Sequence, residues 1–249
     1  MSSGTLEGRR ALVAGASRGI GRACALALTR AGAEVVLLAR DAAALDALAG
    51  EVARGGGRAR TLACDALDVE RLQAALDSAP ACDVLVNAVG GNDPTPFTEV
   101  TLEQYDRLTA LNVRTAFFLL QHSAAQLLAA ERPGSLITIS SQMGHVGAPL
   151  RTVYCATKHA VEGLTKAAAV ELAPHGIRVN AIAPTFIETD MTRAMFADPA
   201  FAGDVLERIP LGRLARPEDV AEAAVYLASD AARMVTGISL LVDGGWTAR

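Results

Sequence analysis

An apolar strand breaks into a glycine turn and then a helix in Ala11-Leu12-Val13-Ala14-Gly15-Ala16-Ser17-Arg18-Gly19-Ile20-Gly21. A phosphate-binding turn needs this context, because glycines let the backbone approach a pyrophosphate. The amino terminus of the following helix adds free N–H groups and a favourable dipole. The stretch therefore predicts a nucleotide site, lined by Gly15 and by the residues from Ser17 to Gly21.

The rest of the chain repeats this rhythm of strand and helix. Apolar runs of strand length occur at Glu34–Arg40, Arg60–Cys64 and Val84–Asn87, and long helices are predicted from Leu102 to about Ala130 and from about Thr152 to Leu172. Such alternation with short links predicts an α/β fold, a doubly wound parallel sheet of the Rossmann type with helices on both faces. No linker or repeat interrupts the pattern, so we expect residues 1–249 to form one domain.

Composition excludes several classes of protein. The net charge is only -4 and aromatic residues make up 4% of the chain, so the basic and stacking surfaces of a nucleic-acid binder are missing. No apolar stretch of about 18 residues could span a bilayer, and no signal core precedes Gly8. We expect a cytoplasmic protein with a small-molecule partner, no membrane contact and no metal, because neither the histidines nor the four cysteines have metal-ligand spacing.

The chemistry is carried by Tyr154-Cys155-Ala156-Thr157-Lys158, with Ser141 thirteen residues upstream. Residues four apart share one face of a helix, so Tyr154 and Lys158 can point into the same site. An ammonium beside a phenol is expected to lower the tyrosine pKa from about 10 and to make Tyr154 a general acid or base. An accidental pair on a solvated face is the alternative, which the glycine turn and Ser141 disfavour. The pattern indicates hydride transfer between a nicotinamide cofactor and a carbonyl or alcohol.

Two excursions leave the carboxyl ends of strands, where ligands of open α/β sheets bind. The first is the turn-rich loop Gly90–Pro96 and the second runs over about residues 185–213, with Met191, Met195 and Phe196 near its middle. We expect them to form the walls and the lid of a substrate pocket. Ordinary surface loops are the alternative.

This set of motifs resembles the short-chain dehydrogenase/reductase family, in its single-domain group that includes 3-oxoacyl-ACP reductases and polyol or sugar-acid dehydrogenases. The resemblance covers nearly the whole chain, through the Gly-x-x-x-Gly-x-Gly turn, Cys64-Asp65, Asn87–Gly90, Asn112, Ser140-Ser141, the Tyr154/Lys158 pair, Asn180–Pro184 and Val242–Gly245. It implies that the single domain is a dinucleotide-binding catalytic domain.

The resemblance also implies roles for the catalytic residues. Tyr154 would supply the proton and Ser141 a second hydrogen bond, while Lys158 would also hold the nicotinamide ribose. Asn112 would distort its helix so that a water could link Lys158 to solvent. From the residues alone, Asn112 could simply face water.

Further cofactor contacts follow only from the resemblance. They are Asp65 and Ala66 at the adenine, Asn87 and Gly90 in the groove, and Pro184, Ile187 and Thr189 near the nicotinamide. Asp65 could instead cap a helix, and Asn87 could be a turn residue. Two positions depart from the common family pattern: Ala14 replaces a threonine before the glycine turn, and Thr185 replaces a glycine after Pro184, where it is expected to narrow the pocket.

The second strand ends Ala39-Arg40, with alanine where NAD-specific relatives usually carry aspartate. Arg40 and Arg18 can both make charge-assisted bonds to a 2′-phosphate. We therefore expect NADP to be preferred over NAD. The alternative is that both are exposed charges that tolerate either cofactor, with Asp41 pairing with Arg40.

The substrate is expected to be small and partly polar. Ser141 and Tyr154 would hold its reacting oxygen, and Gln142, His145 and Thr185 would contact the rest of it, although Gln142 and His145 could face bulk water. No Gly-x-Ser-x-Gly elbow surrounds Ser141, which excludes the usual serine hydrolase.

The sequence is compatible with three functions and predicts one oligomeric state. The first reading is an NADP-dependent oxidoreductase, the second an NAD-dependent polyol or sugar-acid dehydrogenase, and the third a non-catalytic redox sensor that kept the fold. The presence of both Tyr154 and Lys158 disfavours the sensor. The two long helices are apolar on more than one face, and the sheet covers only one, so we expect a homotetramer.

Overall fold

The structure is a computed structural model that describes residues 5–188, 196 and 198–248. Its centre is a seven-stranded sheet with the order β3-β2-β1-β4-β5-β6-β7, in which every pairing is parallel. The strands are β1 (Arg10–Ala14), β2 (Glu34–Ala39), β3 (Ala59–Ala63), β4 (Val84–Asn87), β5 (Gly134–Ile139), β6 (Ile177–Pro184) and β7 (Ser239–Val242). The predicted doubly wound parallel sheet is confirmed.

Helices cover both faces of this sheet. They are α1 (Gly19–Arg30), α2 (Ala42–Arg54), α3 (Val69–Asp77), α4 (Leu102–Thr109), α5 (Thr115–Ala129), α6 (Thr152–Leu172), α7 (Pro199–Glu207) and α8 (Pro217–Ala228). The long helix predicted from Leu102 is divided by a π-helical turn at Ala110–Arg114. Helix α7 lies inside the predicted lid and was not predicted, although Asp198 caps its start by accepting from the Ala200 N–H at 3.0 Å.

The sheet separates two hydrophobic cores, because successive strand residues face opposite sides. Ala11 and Val13 belong to the core under α1, α2 and α8. Leu12 and Ala14 belong to the opposite core, with α3, α5 and α6. One short strand therefore anchors both layers, and its carboxyl end is held from both sides.

The strand order reverses at β1, which lies between β2 and β4. The glycine turn leaves β1 and is tied to β2, because the N–H groups of Gly15 and Ala16 donate to the Leu38 carbonyl at 2.8 and 3.1 Å. The next segment leaves β4, where the Ala88 N–H donates to the Ala14 carbonyl at 2.9 Å. Ligands of open α/β sheets bind in the crevice at such a switch point.

The glycine turn is packed too closely for side chains at two of its glycines. Gly15 has a φ of +81°, and a Cβ there would lie 2.9 Å from the Ala88 carbonyl carbon. A Cβ at Gly21 would lie 2.1 Å from the Gly15 carbonyl oxygen. Helix α1 therefore approaches the turn backbone to backbone, which brings its amino terminus to the crevice.

Among the described residues, no helix is long and apolar enough to cross a membrane. The same residues contain no cluster of histidine, cysteine or acidic side chains that could hold a metal ion. The four cysteines are free thiols. Burial raises the pKa of Cys24 and Cys82 to about 12, so both thiols are neutral near pH 7.

Substituting Gly21 by alanine tests the close approach of α1. Overpacking of this kind typically costs about 1–3 kcal/mol, so we expect Gly21→Ala to lower the free energy of unfolding by that amount and to weaken nucleotide binding. Chemical denaturation and cofactor titration measure the two effects.

Gly50→Ala is the matched control, because Gly50 lies in α2 and the nearest atom to an added Cβ is a side-chain nitrogen of Arg54 at 3.5 Å. It should leave stability unchanged or raise it by about 0.5–1 kcal/mol. Equal effects of the two substitutions would contradict the close approach.

Candidate active site

Helix α6 brings Tyr154 and Lys158 to one place. Lys158 is only 4% exposed, and its ammonium donates to the Ile139 carbonyl at the end of β5 at 3.0 Å. The same nitrogen lies 5.5 Å from the centroid of the Tyr154 ring. The two side chains therefore share one helix face beyond the carboxyl end of β5.

Ser141 follows β5 and begins the 3-10 turn Gln142–Gly144. Its hydroxyl accepts from the Met143 N–H at 3.1 Å and donates to the Gln142 side-chain oxygen at 3.0 Å. The interaction of this hydroxyl with the Tyr154 phenol lowers the pKa of Tyr154. The structure thus brings Ser141, Gln142 and Tyr154 together, whereas the Ser140 hydroxyl is buried near Gly144 and has no hydrogen-bond partner among the described residues.

Burial shifts the pKa values of Tyr154 and Lys158. It raises the pKa of Tyr154, and the interaction with Ser141 offsets only part of that rise. Burial also lowers the pKa of Lys158 to about 8, against the charge of Glu162, which raises it. The expectation that Lys158 lowers the Tyr154 pKa is wrong for this structure, because removal of the phenol from water dominates.

Asn112 lies in the π-helical turn and is 2% exposed. Its side-chain oxygen accepts from the Gly91 N–H at 2.8 Å, and its amide nitrogen donates to the Gly91 carbonyl at 2.9 Å and to the Thr157 hydroxyl at 3.0 Å. The side chain therefore faces the interior rather than water. It links the loop after β4 to α6 between Tyr154 and Lys158.

Glu162 is the next charged residue along the same face of α6. Its carboxylate, with a side chain 8% exposed, accepts from the Ser239 hydroxyl at 3.0 Å and lies 3.5 Å from His145 Nε2. The same ring nitrogen lies 2.9 Å from Ser239 Oγ. His145 therefore reaches two helical turns beyond Tyr154. Its Nε2 has partners there, and its expected contact with the substrate stays a prediction.

At Gly90 the backbone, which carries no side chain there, lies against Lys158 and Asn112. A Cβ added at Gly90 would lie 3.3 Å from the Asn112 side-chain oxygen and 3.5 Å from the Lys158 ammonium nitrogen. The backbone at Gly90, called the Gly90 strip below, thus borders both groups. Deeper in the crevice, the Asn87 oxygen accepts from the Val89 N–H at 3.0 Å, while its buried amide nitrogen has no partner among the described residues.

Helix α1 supplies the complementary end of this crevice. No side chain caps its amino terminus, so its first N–H groups remain open to an anion. Together with the Gly90 strip and the unpaired Asn87 amide, this uncapped terminus fits a nicotinamide dinucleotide.

A further depression of about 410 Å³ follows β2 and β3 and is lined by Arg40, Cys64, Asp65, Asp68 and Arg71, among others. The Asp65 carboxylate accepts from the Leu67 N–H at 3.1 Å, whereas Asp68 caps α3. Asp65 is therefore not a helix cap. Ala66 is buried, and its carbonyl accepts from the Thr115 hydroxyl at 3.1 Å. The depression is wide enough for a base such as adenine.

The side chains of Arg18 and Arg40 are exposed on this side of the sheet. Neither makes an ion pair or a hydrogen bond with any residue that the structure describes. Asp41 caps α2 by accepting from the Ala44 N–H at 3.0 Å and does not pair with Arg40. Both guanidiniums remain available to a phosphate.

Pro184 ends β6 and is followed by Thr185, which is buried and whose hydroxyl has no partner among the described residues. Ile187 forms a parallel bridge with Ala215. Thr189, expected to contact the cofactor, lies outside the described residues, as do Met191 and Met195. An aromatic cluster joins the lid to the chain terminus, with ring centroids 5.5–5.9 Å apart, and consists of Phe186, Phe196, Phe201 and Trp246.

Comparison with known proteins identifies the family. A family model described as enoyl-(acyl carrier protein) reductase matches residues 15–247. The chain is 43% identical to L-xylulose reductase of Bos taurus over 243 residues, which are 98% of each protein. The chain belongs to the short-chain dehydrogenase/reductase family. It is accordingly a nicotinamide-dependent oxidoreductase that acts on CH–OH groups.

Two further relatives in the family show how far the similarity extends. D-threitol dehydrogenase of Mycolicibacterium smegmatis is 38% identical over 247 residues, covering 97% of this chain and 94% of that protein. The crystal structure of a gluconate 5-dehydrogenase from Burkholderia cenocepacia, in complex with NADP and tartrate, superposes with a TM-score of 0.95. It is 33% identical and the match covers 99% of this chain and 98% of that one.

Two residues of the site escaped the sequence reasoning. Glu162 is four residues after Lys158, and Arg151 is three residues before Tyr154, so the helical spacing that selected Tyr154 and Lys158 could also have selected both. Neither stood out, because charged residues on a helix usually face water. Burial in the folded protein is what distinguishes them.

The protein has only two lysines, Lys158 and the exposed Lys166, so the Lys158 pKa can be measured without turnover. In cofactor-free protein carrying ¹³C at the lysine ε-carbons, we expect one resonance to titrate near pH 8. Glu162→Gln should move that titration to lower pH, because burial lowers the pKa of Lys158 and the opposing carboxylate charge is gone.

Glu171→Gln removes an equal charge from the exposed end of α6 and is the control. The Lys158 resonance should titrate there as in the wild type. An unchanged Lys158 titration in Glu162→Gln would show that this carboxylate does not influence the ammonium.

Proposed function

We propose that this enzyme interconverts a small, partly polar ketone and its secondary alcohol with NADP(H), using Tyr154 as the general acid and base. The observation that carries the proposal is that three side chains converge: the Lys158 ammonium lies 5.5 Å from the centroid of the Tyr154 ring, and the Ser141 hydroxyl is close enough to lower the pKa of the phenol. The Gly90 backbone, which carries no side chain, borders the same lysine.

The bound cofactor supplies or accepts the hydride. During reduction, negative charge develops on the substrate oxygen, and donors already in place stabilise it. Tyr154 donates its proton to this oxygen and Ser141 donates a second hydrogen bond. In the reverse direction Tyr154 takes the hydroxyl proton. Because burial raises the pKa of Tyr154, the phenol is protonated near pH 7, which is the form that reduction needs.

Lys158 and Asn112 position Tyr154 and act on its phenol. The Lys158 ammonium places a positive charge near the phenol and can hold ribose hydroxyls across the Gly90 strip. Asn112 fixes the distance between this strip and α6 through Gly91 and Thr157. Gln142, buried beside Ser141, and the unpaired Thr185 hydroxyl supply polar contacts for the remainder of the substrate.

The substrate class is inferred from the relatives together with these polar groups. L-xylulose reductase and D-threitol dehydrogenase act on sugars and polyols by name, and the similar Burkholderia structure is a gluconate 5-dehydrogenase. We infer a sugar, polyol or sugar acid as the natural substrate. A complete set of Asn112, Ser141, Tyr154 and Lys158 argues against a non-catalytic sensor.

NADP is the preferred cofactor in this proposal. Ala39 leaves no carboxylate to accept from a ribose hydroxyl, and the free guanidiniums of Arg18 and Arg40 are available to a 2′-phosphate. The Burkholderia structure holds NADP. An NAD-dependent polyol or sugar-acid dehydrogenase is the alternative.

A homotetramer completes the proposal. On α5 and α6, Phe117, Leu128 and Val170 are exposed, the last of them by 80%. Around β7, Met234, Ile238 and Leu241 are exposed as well. Two separate apolar surfaces on one chain suit two kinds of two-fold contact.

Removing the Tyr154 hydroxyl tests the catalytic assignment. General acid and base catalysis contributes about 10²–10⁴-fold, so we expect Tyr154→Phe to lower kcat by at least about 10² with nearly unchanged cofactor affinity. Tyr105→Phe, at an exposed tyrosine, is the control. Retention of more than about a tenth of the activity, with chemistry rate-limiting, would remove Tyr154 from this role.

Cofactor preference is tested by kcat/KM with NADPH and NADH. A charge-assisted bond contributes roughly 1.5–3 kcal/mol, so Arg40→Ala should lower kcat/KM for NADPH about 10- to 100-fold and leave that for NADH nearly unchanged. Arg54→Ala removes an exposed arginine from α2 and should alter neither value. A wild-type kcat/KM for NADH equal to or higher than that for NADPH would contradict the NADP preference.

Analytical ultracentrifugation tests the assembly. At micromolar concentration we expect a sedimenting mass near four times the chain mass of 25.8 kDa. Val170→Asp should reduce that mass, because it places a charge in an apolar contact. A wild-type mass near 25.8 kDa would contradict the tetramer.

A further inference from the structure

Arg151 is a buried arginine without a partner among the residues that the structure describes. It is 7% exposed, and its guanidinium makes neither an ion pair nor a hydrogen bond with any of the described residues. Arginine is almost never this buried unless it is paired, because a charge away from water needs compensation. An unpaired arginine at this depth indicates that an anion binds there.

The start of α6 adds a second feature that favours an anion. Arg151 directly precedes this 21-residue helix as its N-cap residue. The first helical hydrogen bond runs from the Cys155 N–H to the Arg151 carbonyl at 2.7 Å. No side chain caps the helix. The N–H groups of Thr152 and Val153 therefore carry the positive end of the helix dipole without an acceptor among the described residues.

This cationic end of α6 adjoins the reacting group. The Arg151 charge and the Tyr154 phenol act on each other, since Arg151 lowers the pKa of Tyr154 and the phenol raises that of Arg151. The phenol is protonated near pH 7, so Tyr154 cannot be the missing counter-ion. A ligand that reaches Arg151 would also lie beside the Tyr154 hydroxyl.

Two carboxylates that could be considered as partners of Arg151 have other partners. Asp93, in the loop after β4, accepts from Arg107 and from Gln104. Glu162 lies about three helical turns further along α6, accepts from Ser239 and lies beside His145. Among the described residues, no acid is left to neutralise Arg151.

We propose that Arg151, together with the uncapped start of α6, binds a carboxylate of the substrate, which makes the substrate a sugar acid rather than a neutral sugar or polyol. The planar guanidinium matches a carboxylate in a two-point contact. This inference rests on the proposed function, because it places the reacting carbon at Tyr154 and Ser141. In oxidation, the C–H hydride passes to NADP⁺ and the hydroxyl proton to the phenolate form of Tyr154, while the carboxylate stays unchanged.

The test compares acids with neutral molecules of equal chain length. The pairs are D-gluconate with D-glucitol, and tartrate with threitol, assayed for oxidation with NADP⁺, together with 5-keto-D-gluconate and D-fructose for reduction with NADPH. Isothermal titration calorimetry measures binding of the same compounds without turnover when each is paired with the cofactor form that cannot react: the alcohols with the NADPH-bound protein and the ketones with the NADP⁺-bound protein. The variants are Arg151→Gln, Arg151→Lys and the control Arg233→Gln, at an exposed arginine.

The wild type should use or bind the acids at least about 10-fold better than their neutral partners. Arg151→Gln should weaken the acids about 10- to 100-fold and leave the neutral compounds nearly unchanged, with partial retention in Arg151→Lys. Arg233→Gln should behave as the wild type. The melting temperature of ligand-free Arg151→Gln should stay the same or rise, because an unpaired buried charge is removed.

Other results would overturn the inference. Equal use of acids and neutral compounds by the wild type, or an equal loss for both in Arg151→Gln, would show that Arg151 holds no carboxylate. So would a large fall in the melting temperature of Arg151→Gln, which would reveal a structural partner. Absence of hydride transfer with every compound would instead refute the proposed function, and the binding measurements would still decide whether Arg151 holds an anion.

Discussion

The side-chain amide of Asn112 links α6 to the loop that follows β4. Through both of its polar atoms it pairs with the backbone of Gly91, and it also donates to the Thr157 hydroxyl. Thr157 in turn donates to the Tyr154 carbonyl at 2.8 Å. One amide therefore sets how far Tyr154 and Lys158 lie from the strip at Gly90, and it does so from a π-helical turn that a regular helix would not supply.

Burial then gives these groups their chemistry. Away from water, hydrogen bonds and charges act more strongly. Burial also raises the pKa of Tyr154 and lowers that of Lys158, so that the neutral form of each group is favoured. Glu162 opposes this on the Lys158 side, anchored by Ser239 from the last strand. The face of α6 thus carries Arg151, Tyr154, Lys158 and Glu162 within about three helical turns. The two proposals assign to them an anion site, a proton donor, an ammonium and its counter-charge.

Much of the fold could be predicted from the sequence, because its signals are local. Short apolar runs located the strands that became β1 to β4, and helical periodicity predicted α6 from about Thr152 to Leu172. The interruption at Ala110–Arg114 could not be predicted from composition, since its cause is a tertiary contact between Asn112 and Gly91. Helix α7 was hidden in a segment that had been interpreted as an irregular lid.

The candidate site divides in the same way. The helical spacing of Tyr154 and Lys158 and the position of Ser141 were sufficient to bring these residues together. The partners of His145 could not be predicted, because its distance along the chain from Ser141 does not reveal that it turns toward Ser239, a residue nearly a hundred positions away. Arg151 was missed because whether an arginine is buried or solvated depends on what packs around it, which one sequence does not show.

Substitution of Asn112 by alanine tests the central claim most directly, with kcat measured beside the melting temperature and the cooperativity of unfolding. If the amide sets the position of Tyr154 and Lys158, kcat should fall by at least about 10², comparable to losing the acid itself, while the protein still unfolds cooperatively. Near wild-type kcat in folded Asn112→Ala would show that α6 holds its position without this contact and would contradict the account.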